Sequence, residues 1–317
     1  MRLVTFEFQG RTRLGAEQDG GVVDLNRGYM LLLATRGVMD FREQADRELP
    51  ADMLGFLDRW DQSLPLAKDV LAFSREVQGR GGRLEQAIWH PMEVVRLCAP
   101  ILNPRKIICL GLNYRDHAAE TKQEIPPEPA LFSKFATSII GPEEPILIPS
   151  VSREVDYEAE LAFIVARRGR HVSKAEALDH VAGYTAFHDV SARDYQLRKP
   201  GGQWMLGKTF DTFAPMGPAL VTREDLPDPQ ALDITMTVNG EVLQSSNTEH
   251  QAFTVSDIVA YCSHVFTLEP GDVIATGTPG GVGFARKPPR FLKEGDVAVV
   301  EIQGIGALRN PVRQAPR

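Results

Sequence analysis

The hydrophobic positions near the N-terminus follow two different periods. Residues 3–8 alternate between apolar and polar, which predicts a strand, and Gly20-Gly21 can turn a hairpin into a second strand over Val22–Leu25. Apolar side chains then recur at helical spacing in three stretches: residues 28–36, 51–60 and 64–77. This pattern predicts a small α+β unit at the start of the chain.

Beyond Lys106 the pattern changes to short β-rich runs that Gly and Pro separate. The runs are KIICLGL, ILIP, ELAFIVA, YTAFHDV, DITMTVNG, DVIATG and AVVEIQG. Helical spacing is confined to residues 174–181 and 254–264, so a mixed β sandwich or barrel is favoured over a βαβ array. We therefore predict a mixed, β-rich α+β protein: a small N-terminal α+β domain (1–95), then a second domain (96–317), with residues 90–104 as a linker.

Composition and charge narrow the classes of function. The chain has 317 residues, of which 43% are hydrophobic and 24% charged, as in ordinary globular proteins. Its net charge is −7 and its basic residues are scattered, so we expect no nucleic-acid partner. We likewise expect no membrane partner, because no run of about 18 apolar residues is present.

The cysteines and the first residues bear on location. Cys98, Cys109 and Cys262 match neither a disulfide framework nor a CxxC metal spacing, and we expect inert buried thiols. The first fifteen residues lack the continuous apolar core of a signal peptide. A cytoplasmic location follows by elimination.

The stretch REVDYEAELAFIVA carries acidic residues at every second position. On a single strand, Asp156, Glu158 and Glu160 would point to one face. The strand that they enter is apolar on both sides, and carboxylates next to a buried strand need a cation or strong donors. The pattern therefore indicates a cation site, although a solvated strand end shows the same alternation.

A second stretch, GYTAFHDVSARD, ends a strand-like run with Asp189. His188 precedes it and should face the opposite side, so the two are not expected to bind the same ion. A carboxylate-only ligand set favours a hard cation such as Mg²⁺ or Mn²⁺. By itself, Asp189 is more typical of a helix cap or a turn than of a metal ligand.

Three further stretches carry candidate chemistry. In GLNYRDHAAETKQEIPPEP, one helical turn would place His117 beside Glu120, an arrangement that activates water, on a segment polar enough to form a mobile lid. An exposed pair without a role is the alternative. Lys208 lies in apolar-rich company and could stabilise an enolate, or it could be a surface lysine. In the Gly-rich loop DVIATGTPGGVGF, backbone N–H groups could hold a carboxylate, or the loop could be a plain turn.

Taken in order, these motifs resemble the fumarylacetoacetate hydrolase superfamily. The resemblance rests on GLNYRDHAAE, VDYEAELAFIV, GYTAFHDVSARDYQ, GKTFDTFAPMGP, VNGEVLQSSNT, GDVIATGTPGGVGF and EIQGIGALRNPV, and it covers roughly two thirds of the chain. It implies a fold built around a mixed β-roll, a homodimer, and one divalent ion, Mg²⁺ or Mn²⁺, in each subunit. Lys134-Phe135 departs from the Lys-Pro pair that family members often show, which predicts a different pocket wall.

The resemblance also implies roles for individual residues. Glu158, Glu160 and Asp189 become the metal ligands, and His117 with Glu120 becomes the water-activating dyad. Contacts with substrate oxygens are implied for three further residues: Gln196, Lys208 and Thr278. The expected activity is hydrolysis of a C–C bond in a small acylpyruvate-like diketo acid. The alternatives are an oxaloacetate decarboxylase, an isomerase or decarboxylase of 2-hydroxyhepta-2,4-diene-1,7-dioate from aromatic breakdown, and a non-catalytic binding protein.

Overall fold

The structure, a computed structural model, describes residues 1–78 and 82–316. Its strands are β1 (Arg2–Phe8), β2 (Arg11–Gln18), β3 (Gly21–Asp24), β4 (Trp89–Pro91), β5 (Arg96–Leu97), β6 (Ile107–Gly111), β7 (Ala130–Lys134), β8 (Ile139–Ile140), β9 (Ile146–Ile148), β10 (Val155–Asp156), β11 (Ala159–Val165), β12 (Val181–His188), β13 (Ser191–Ala192), β14 (Ala214–Thr222), β15 (Asp233–Val238), β16 (Glu241–Asn247), β17 (Val273–Ala275), β18 (Val297–Ile302) and β19 (Gly306–Gln314). Its helices are α1 (Leu25–Thr35), α2 (Phe41–Glu48), α3 (Met53–Asp58), α4 (Trp60–Gln78), α5 (Arg83–Ile88), α6 (Arg115–Thr121), α7 (Arg193–Arg198), α8 (Met205–Lys208) and α9 (Val255–Val265).

The strands form one large sheet and two smaller ones. The large sheet runs β4-β3-β2-β1-β14-β12-β11-β17-β6-β7, with β5 beside β1 and β8 beside β14. A five-stranded sheet has the order β16-β15-β18-β19-β9, and β10 pairs with β13. The N-terminal strands thus continue the sheet of the C-terminal part through the β1–β14 pairing, in which Leu3 lies opposite Leu220.

The large sheet lies between two layers, and its central strand β11 is apolar toward both. Leu161 and Phe163 belong to the core shared with the five-stranded sheet and α9. Ala162 and Ile164 belong to the core shared with the N-terminal helices. Because side chains of a strand alternate between faces, this fully buried strand is apolar on both faces from Leu161 onward.

Most predicted elements are present. The N-terminal strand, the hairpin at Gly20-Gly21 and the three N-terminal helices are confirmed within a few residues, as are all seven β-rich runs. The helix predicted at 254–264 is α9, whose first turn is fixed by a capping box between Thr254 and Asp257. The helix predicted at 174–181 is wrong: only one short 3₁₀ turn forms, because β12 already begins at Val181.

The expected linker is a packed segment. Residues 90–104 contribute β4 in part, a 3₁₀ turn and β5, and they bury Cys98, Ala99 and Ile101. The division into domains at residues 95 and 96 stays a prediction. All three cysteines are free and buried, as expected, and burial raises the pKa of the Cys109 thiol well above its usual range. No helix in the described ranges is both long and apolar enough to cross a bilayer.

His90 gives the N-terminal strands a pH-sensitive contact. Its ring stacks on Phe8 at 4.2 Å between centroids and is 3% exposed. Burial, with Arg27 and Arg13 nearby, lowers the pKa of His90 despite Asp24. The stabilisation that neutral His90 provides is therefore fully present above its unfolded pKa of about 6.5, and it is lost as the pH falls toward the folded value.

We expect His90→Phe to remove this dependence, because phenylalanine keeps the stacking and binds no proton. Between pH 7.5 and 5.5 the unfolding free energy of the unmodified protein should fall more steeply than that of H90F. The extra slope is at most one proton, or about 1.4 kcal/mol per pH unit. Urea unfolding at three pH values measures it, and parallel curves for the two proteins would contradict the assignment.

Candidate active site

The site forms where β11 begins and β12 ends. The two strands are antiparallel, with Ala159 opposite His188, and the Asp189 N–H donates to the Glu158 carbonyl at 3.0 Å. This pairing brings together acids that are about thirty positions apart in sequence. One carboxylate oxygen from each of Glu158, Glu160 and Asp189 lies within 4.8 Å of the others, and all three residues are buried.

Asp156 does not join this cluster, although the alternating pattern placed it on the same face. It lies in β10, and residues 157 and 158 interrupt the strand before β11. Its carboxylate accepts bonds from the backbone of Gly283 at 2.8 Å and Phe284 at 3.1 Å, and from Arg193 Nε at 2.8 Å. Asp156 therefore anchors the Gly-rich loop and α7 from a neighbouring position.

Two buried lysines pair with Glu158 and Asp189. Lys208 Nζ lies 2.6 Å from Glu158 Oε2 and 2.7 Å from Asp189 Oδ2. Lys134 Nζ lies 2.5 Å from Asp189 Oδ1 and also donates to the Val190 carbonyl at 3.2 Å. Lys208 is 2% exposed, so the surface-lysine alternative is wrong.

The charges of the cluster shift its pKa values in opposite directions. Burial alone would raise the pKa of Glu158, but Lys208 and Arg193 hold it well below its usual range. Burial raises the pKa of Glu160 well above its usual range, and the like charges of Asp189 and Glu158 add to this. Burial would lower the pKa of Lys208, yet Asp189 and Glu158 raise it, so its ammonium form is favoured at neutral pH.

Glu160 is the acid that most needs a cation. In the part of the chain that the structure describes, its carboxylate has one hydrogen-bond partner, the Gly277 N–H at 2.9 Å, and no ion pair. A buried carboxylate without a counter-ion is costly. Three converging carboxylates are oxygen ligands of the kind that hard divalent ions prefer. The residues present therefore fit a divalent metal ion, as the sequence predicted.

The two alternatives to a metal site, a solvated strand end and a helix cap, are both wrong. Glu158 and Glu160 are not at a solvated strand end, since both are at most 5% exposed. Asp189 caps no helix, because the N-cap of α7 is Ala192. His188 lies opposite Ala159 and therefore shares the face of the sheet opposite to Glu160, so the two are on different sides, as expected. Burial, with Lys134 adding to it, lowers the pKa of this histidine to about 3.

The His117–Glu120 pair lies on α6 as predicted, one turn apart. His117 Nδ1 is 3.8 Å from Glu120 Oε2, longer than a direct hydrogen bond. His117 is 8% exposed, so the reading as a fully exposed pair is wrong for the histidine. Burial would raise the pKa of Glu120, but His117 and the Gly281 N–H outweigh it and lower that pKa.

Contacts at both ends hold α6 beside the site. Ser246 Oγ donates to Asp116 Oδ2 at 2.6 Å, and the Gly281 N–H donates to Glu120 Oε2 at 2.8 Å. Arg115 adds a bond to the Gln251 carbonyl at 2.9 Å. The predicted lid is thus tied to β16 and to the Gly-rich loop, and its movement stays a prediction.

The Gly-rich loop holds carboxylates through its backbone, as the sequence suggested, and these are the protein's own. The N–H groups of Gly277, Gly281 and Gly283 donate to Glu160, Glu120 and Asp156, respectively. A side chain at Gly283 would lie 1.9 Å from the Arg290 carbonyl oxygen, so only glycine fits there. The loop therefore links the acid cluster, the dyad and α7.

Glu158 and Glu160 of the acid cluster and His117 of the dyad line one small cavity. Gln196 and Thr278, the two substrate contacts implied by resemblance, also line it. Gln196 Oε1 accepts a bond from Arg193 Nη1 at 2.7 Å, and Thr278 Oγ1 accepts one from Gln244 Nε2 at 2.8 Å. The structure thus brings all eight candidate residues to one place, while their roles stay predictions.

Sequence reasoning missed Arg193, the residue that ties the site together. Its guanidinium bonds Asp156 through Nε, Gln196 through Nη1 and Glu158 through Nη2, and it lies 4.5 Å from the centroid of the Phe284 ring. A signal was available: Arg193 comes three positions before Gln196, so one helical turn places them side by side. Gln244 was missed too, and no local pattern distinguishes it.

The Lys134-Phe135 pair, which predicted a different pocket wall, has its effect elsewhere. The Phe135 N–H donates to Thr209 Oγ1 at 2.8 Å, a bond that proline could not make. The Phe135 ring is 51% exposed and lies outside the cavity lining, to which β7 contributes Phe132. The departure therefore bears on the outer surface of β7.

A β-rich α+β fold with three buried acids at the junction of two paired strands defines a candidate metal-dependent enzyme. The sequence model described as "Fumarylacetoacetate (FAA) hydrolase C-terminal" matches residues 106–313. The chain belongs to this family, and the predicted family and fold class are confirmed.

Curated relatives align over nearly the whole chain. An oxaloacetate tautomerase of Xenopus laevis is 46% identical over 98% of this chain and 90% of its own length. A human oxaloacetate tautomerase is 43% identical over 98% of this chain and 91% of its own length. Both are named as mitochondrial, as are further relatives at 42–43% identity, so the cytoplasmic location inferred by elimination is wrong.

Solved structures agree with the fold. A fumarylacetoacetate hydrolase of Exiguobacterium antarcticum is 36% identical, has a TM-score of 0.78, and aligns over 99% of this chain and all of its own. A 2-hydroxyhepta-2,4-diene-1,7-dioate isomerase of Mycobacterium marinum is 41% identical with a TM-score of 0.63, covering 72% of this chain and 82% of its own.

Proposed function

We propose that the protein interconverts the keto and enol forms of oxaloacetate or of a closely similar 2-oxo acid. In this proposal Glu158, Glu160 and Asp189 hold one Mg²⁺ or Mn²⁺ ion. The observation that carries it is the convergence of these three acids, two of which, Glu158 and Glu160, line one small cavity together with Lys208 and His117. The names of the relatives at 43% and 46% identity support the choice of oxaloacetate.

The chemistry needed is the transfer of a proton between C3 and the oxygen on C2. A bound divalent ion would supply Lewis acidity at the oxo acid. Lys208, whose ammonium form is favoured, would stabilise the negative charge that develops on the C2 oxygen. Because Lys208 is already held by Glu158 and Asp189, little reorganisation is required.

His117 is proposed to remove the proton from C3, and the ammonium of Lys208 to donate one to the C2 oxygen; exchange of protons with water then restores both side chains. The imidazole lines the cavity, and Glu120 lies close enough to orient it without binding it directly. Gln196 and Thr278 are proposed to contact the carboxylates of the acid. Each already has one fixed partner, Arg193 and Gln244 respectively, which would limit rotation of its side chain.

This proposal replaces C–C hydrolysis as the first choice. Tautomerisation only moves a proton within the substrate, whereas hydrolysis also needs an activated water, and the relatives at 43% and 46% identity are named as oxaloacetate tautomerases. Hydrolysis of an acylpyruvate remains the second candidate. It is favoured by the E. antarcticum hydrolase, to which this chain is similar over its whole length. Decarboxylation of oxaloacetate and isomerisation of a hydroxy-dienedioate could use the same site.

A substrate panel separates these activities. The protein would be assayed with Mg²⁺ or Mn²⁺ against oxaloacetate, acylpyruvates and a hydroxy-dienedioate, with EDTA as control. We expect the ultraviolet absorbance of oxaloacetate enol to decay fastest, and EDTA to abolish this catalysis. Faster cleavage of an acylpyruvate than tautomerisation of oxaloacetate would contradict the proposal.

His117→Gln tests the proton transfer. We expect the rate of oxaloacetate tautomerisation to fall about 10²- to 10⁴-fold, the usual contribution of a general acid–base group. Affinity for Mn²⁺ should stay within about twofold, because His117 is not among the three acids. Enol decay and calorimetric Mn²⁺ titration measure the two quantities. A tautomerisation rate equal to that of the unmodified protein would exclude His117 as the base.

The homodimer implied by resemblance also stays a proposal. Light scattering coupled to size exclusion would measure the mass against the 35.1 kDa of one chain.

A further inference from the structure

We propose that Trp204 sets the maximum length of the substrate, so that the site accepts four-carbon 2-oxo dicarboxylic acids and rejects longer ones. This inference rests on the proposed function in placing the oxo acid beside the three acids. It adds a determinant of specificity, which is carried by the geometry of the cavity wall.

Phe132 lies between Lys208 and Trp204 along the wall of the cavity. Lys208 Nζ lies over the Phe132 ring at 5.1 Å from its centroid. Trp204 meets the same ring edge-on, with centroids 5.7 Å apart and planes at 73°. All three side chains line the cavity. Moving away from the acid cluster, a ligand would therefore pass Phe132 and then meet the indole.

The indole has little room to yield. A Cβ atom at Gly111 would lie 2.2 Å from the Trp204 ring, so the ring rests directly on the backbone of β6. A Cβ atom at Gly207 would lie 2.6 Å from the Gln196 backbone nitrogen, so α8 is pressed against α7. The short helix that carries Trp204 at its start and Lys208 at its end is thus fixed on two sides.

A fixed aromatic wall discriminates by length. A substrate with more than four carbons must either displace the indole or give up its contacts beside the acid cluster. Removing the indole would instead let added methylenes become buried, and each buried methylene is worth about fourfold in affinity. The order of affinity should therefore invert.

Trp204→Ala tests this in a length series of oxaloacetate, 2-oxoglutarate and 2-oxoadipate, titrated calorimetrically in the presence of Mn²⁺. We expect the unmodified protein to prefer oxaloacetate. In W204A, the affinity ratio of 2-oxoadipate to oxaloacetate should rise about 15-fold, corresponding to two methylenes. An unchanged ratio would overturn the inference, and W204L carries the same test if W204A does not fold.

Two further variants separate the role of the indole from general damage. Leu206→Ala lies on the same helix, where Leu206 is 54% exposed, and should keep the length preference of the unmodified protein. Gly111→Ala should weaken binding of all three acids, because its methyl group pushes the indole into the cavity. Combined with W204A the same methyl group has space, so the double variant should bind as W204A does. Equal losses from G111A in both backgrounds would overturn the inference.

The outcomes also separate this inference from the proposed function. If the protein binds oxaloacetate best and W204A inverts the order, yet no tautomerisation occurs, the length limit stands and the proposed reaction fails. If tautomerisation occurs and W204A leaves the order unchanged, the reaction stands and the role of Trp204 is overturned. A protein that binds none of the three acids overturns the inference.

Discussion

Replacing Glu160 by Gln is expected to abolish divalent-metal binding and catalysis while leaving the metal-free protein as stable as before. The amide oxygen can still accept the Gly277 N–H, which is the one hydrogen bond described for this carboxylate. Burial and neighbouring acids already raise the pKa of Glu160, so a neutral side chain suits the metal-free site. The melting temperature without metal should therefore change by less than about 2 °C.

The effect on the metal should be large. Loss of a residue that only supports a metal ligand lowers metal affinity by up to about a hundredfold. Because Glu160 would bind the metal directly, the affinity of E160Q for Mn²⁺ should fall by at least that much. At a metal concentration of 100 times the original dissociation constant, a stabilisation of about 2.7 kcal/mol would be lost. Calorimetric titration and melting with and without EDTA measure both quantities, and enol decay measures catalysis.

Two comparisons make the test specific. Glu301→Gln removes an exposed acid from β18 and should behave as the unmodified protein. Asp189→Asn should lose the metal too, but it should also melt lower without metal, because Lys134 and Lys208 lose their charged partner. If E160Q were stabilised by Mn²⁺ as strongly as the unmodified protein, the three acids would not form the metal site.

The largest effect on stability is expected from Arg193→Met. The substitution keeps an unbranched stem but leaves Asp156 and Glu158 without their shared cation. Arg193 is 3% exposed, and breaking a buried pair by removing one partner costs about 3–5 kcal/mol. Urea unfolding at neutral pH in EDTA would measure the loss free of any contribution from metal.

Arg290→Met is the matched control, since it removes an arginine whose partner, Glu241, is 61% exposed in its side chain. Pairs of this kind contribute less than about 1 kcal/mol. Equal losses in R193M and R290M would show that the buried network adds nothing beyond a surface pair. Restoring part of the lost stability by adding Asp156→Asn to R193M would support the network.

The sequence was sufficient to find the acids, and the reason is local. Glu158 and Glu160 enter a run that is apolar on both faces, and Asp189 ends the next such run. The structure pairs those two runs as β11 and β12, and this pairing brings one carboxylate oxygen of each acid within 4.8 Å of the others. Residue order in the motifs contributed the rest through the family resemblance.

What the sequence could not give depends on contacts between distant segments. Alternation placed Asp156 with the other acids, but β10 pairs with β13 and turns its carboxylate toward Arg193. No sequence pattern indicates that the strand is interrupted at residues 157 and 158. Lys134 was noticed for its neighbour, whereas its ion pair with Asp189 spans 55 positions.

Contacts between distant segments also explain where the prediction of secondary structure was wrong. β14 went unpredicted because Pro215 and Pro218 interrupt its pattern, and proline is uncommon inside a sheet. Its place is fixed instead by β1 on one side and β12 on the other. Conversely, the apolar spacing at 174–181 is helical only if Val181 is included, and that residue belongs to β12.

The pairing of β1 with β14 has a consequence for how the chain can be shortened. Residues matched by the family begin at 106, yet a fragment starting there would strip a neighbour from β14 and leave its hydrogen-bonding groups uncovered. Such an open edge is a template for association between chains. By covering β14, the N-terminal strand β1 therefore protects against aggregation. A shortened protein that begins at residue 106 would need another way to cover this strand.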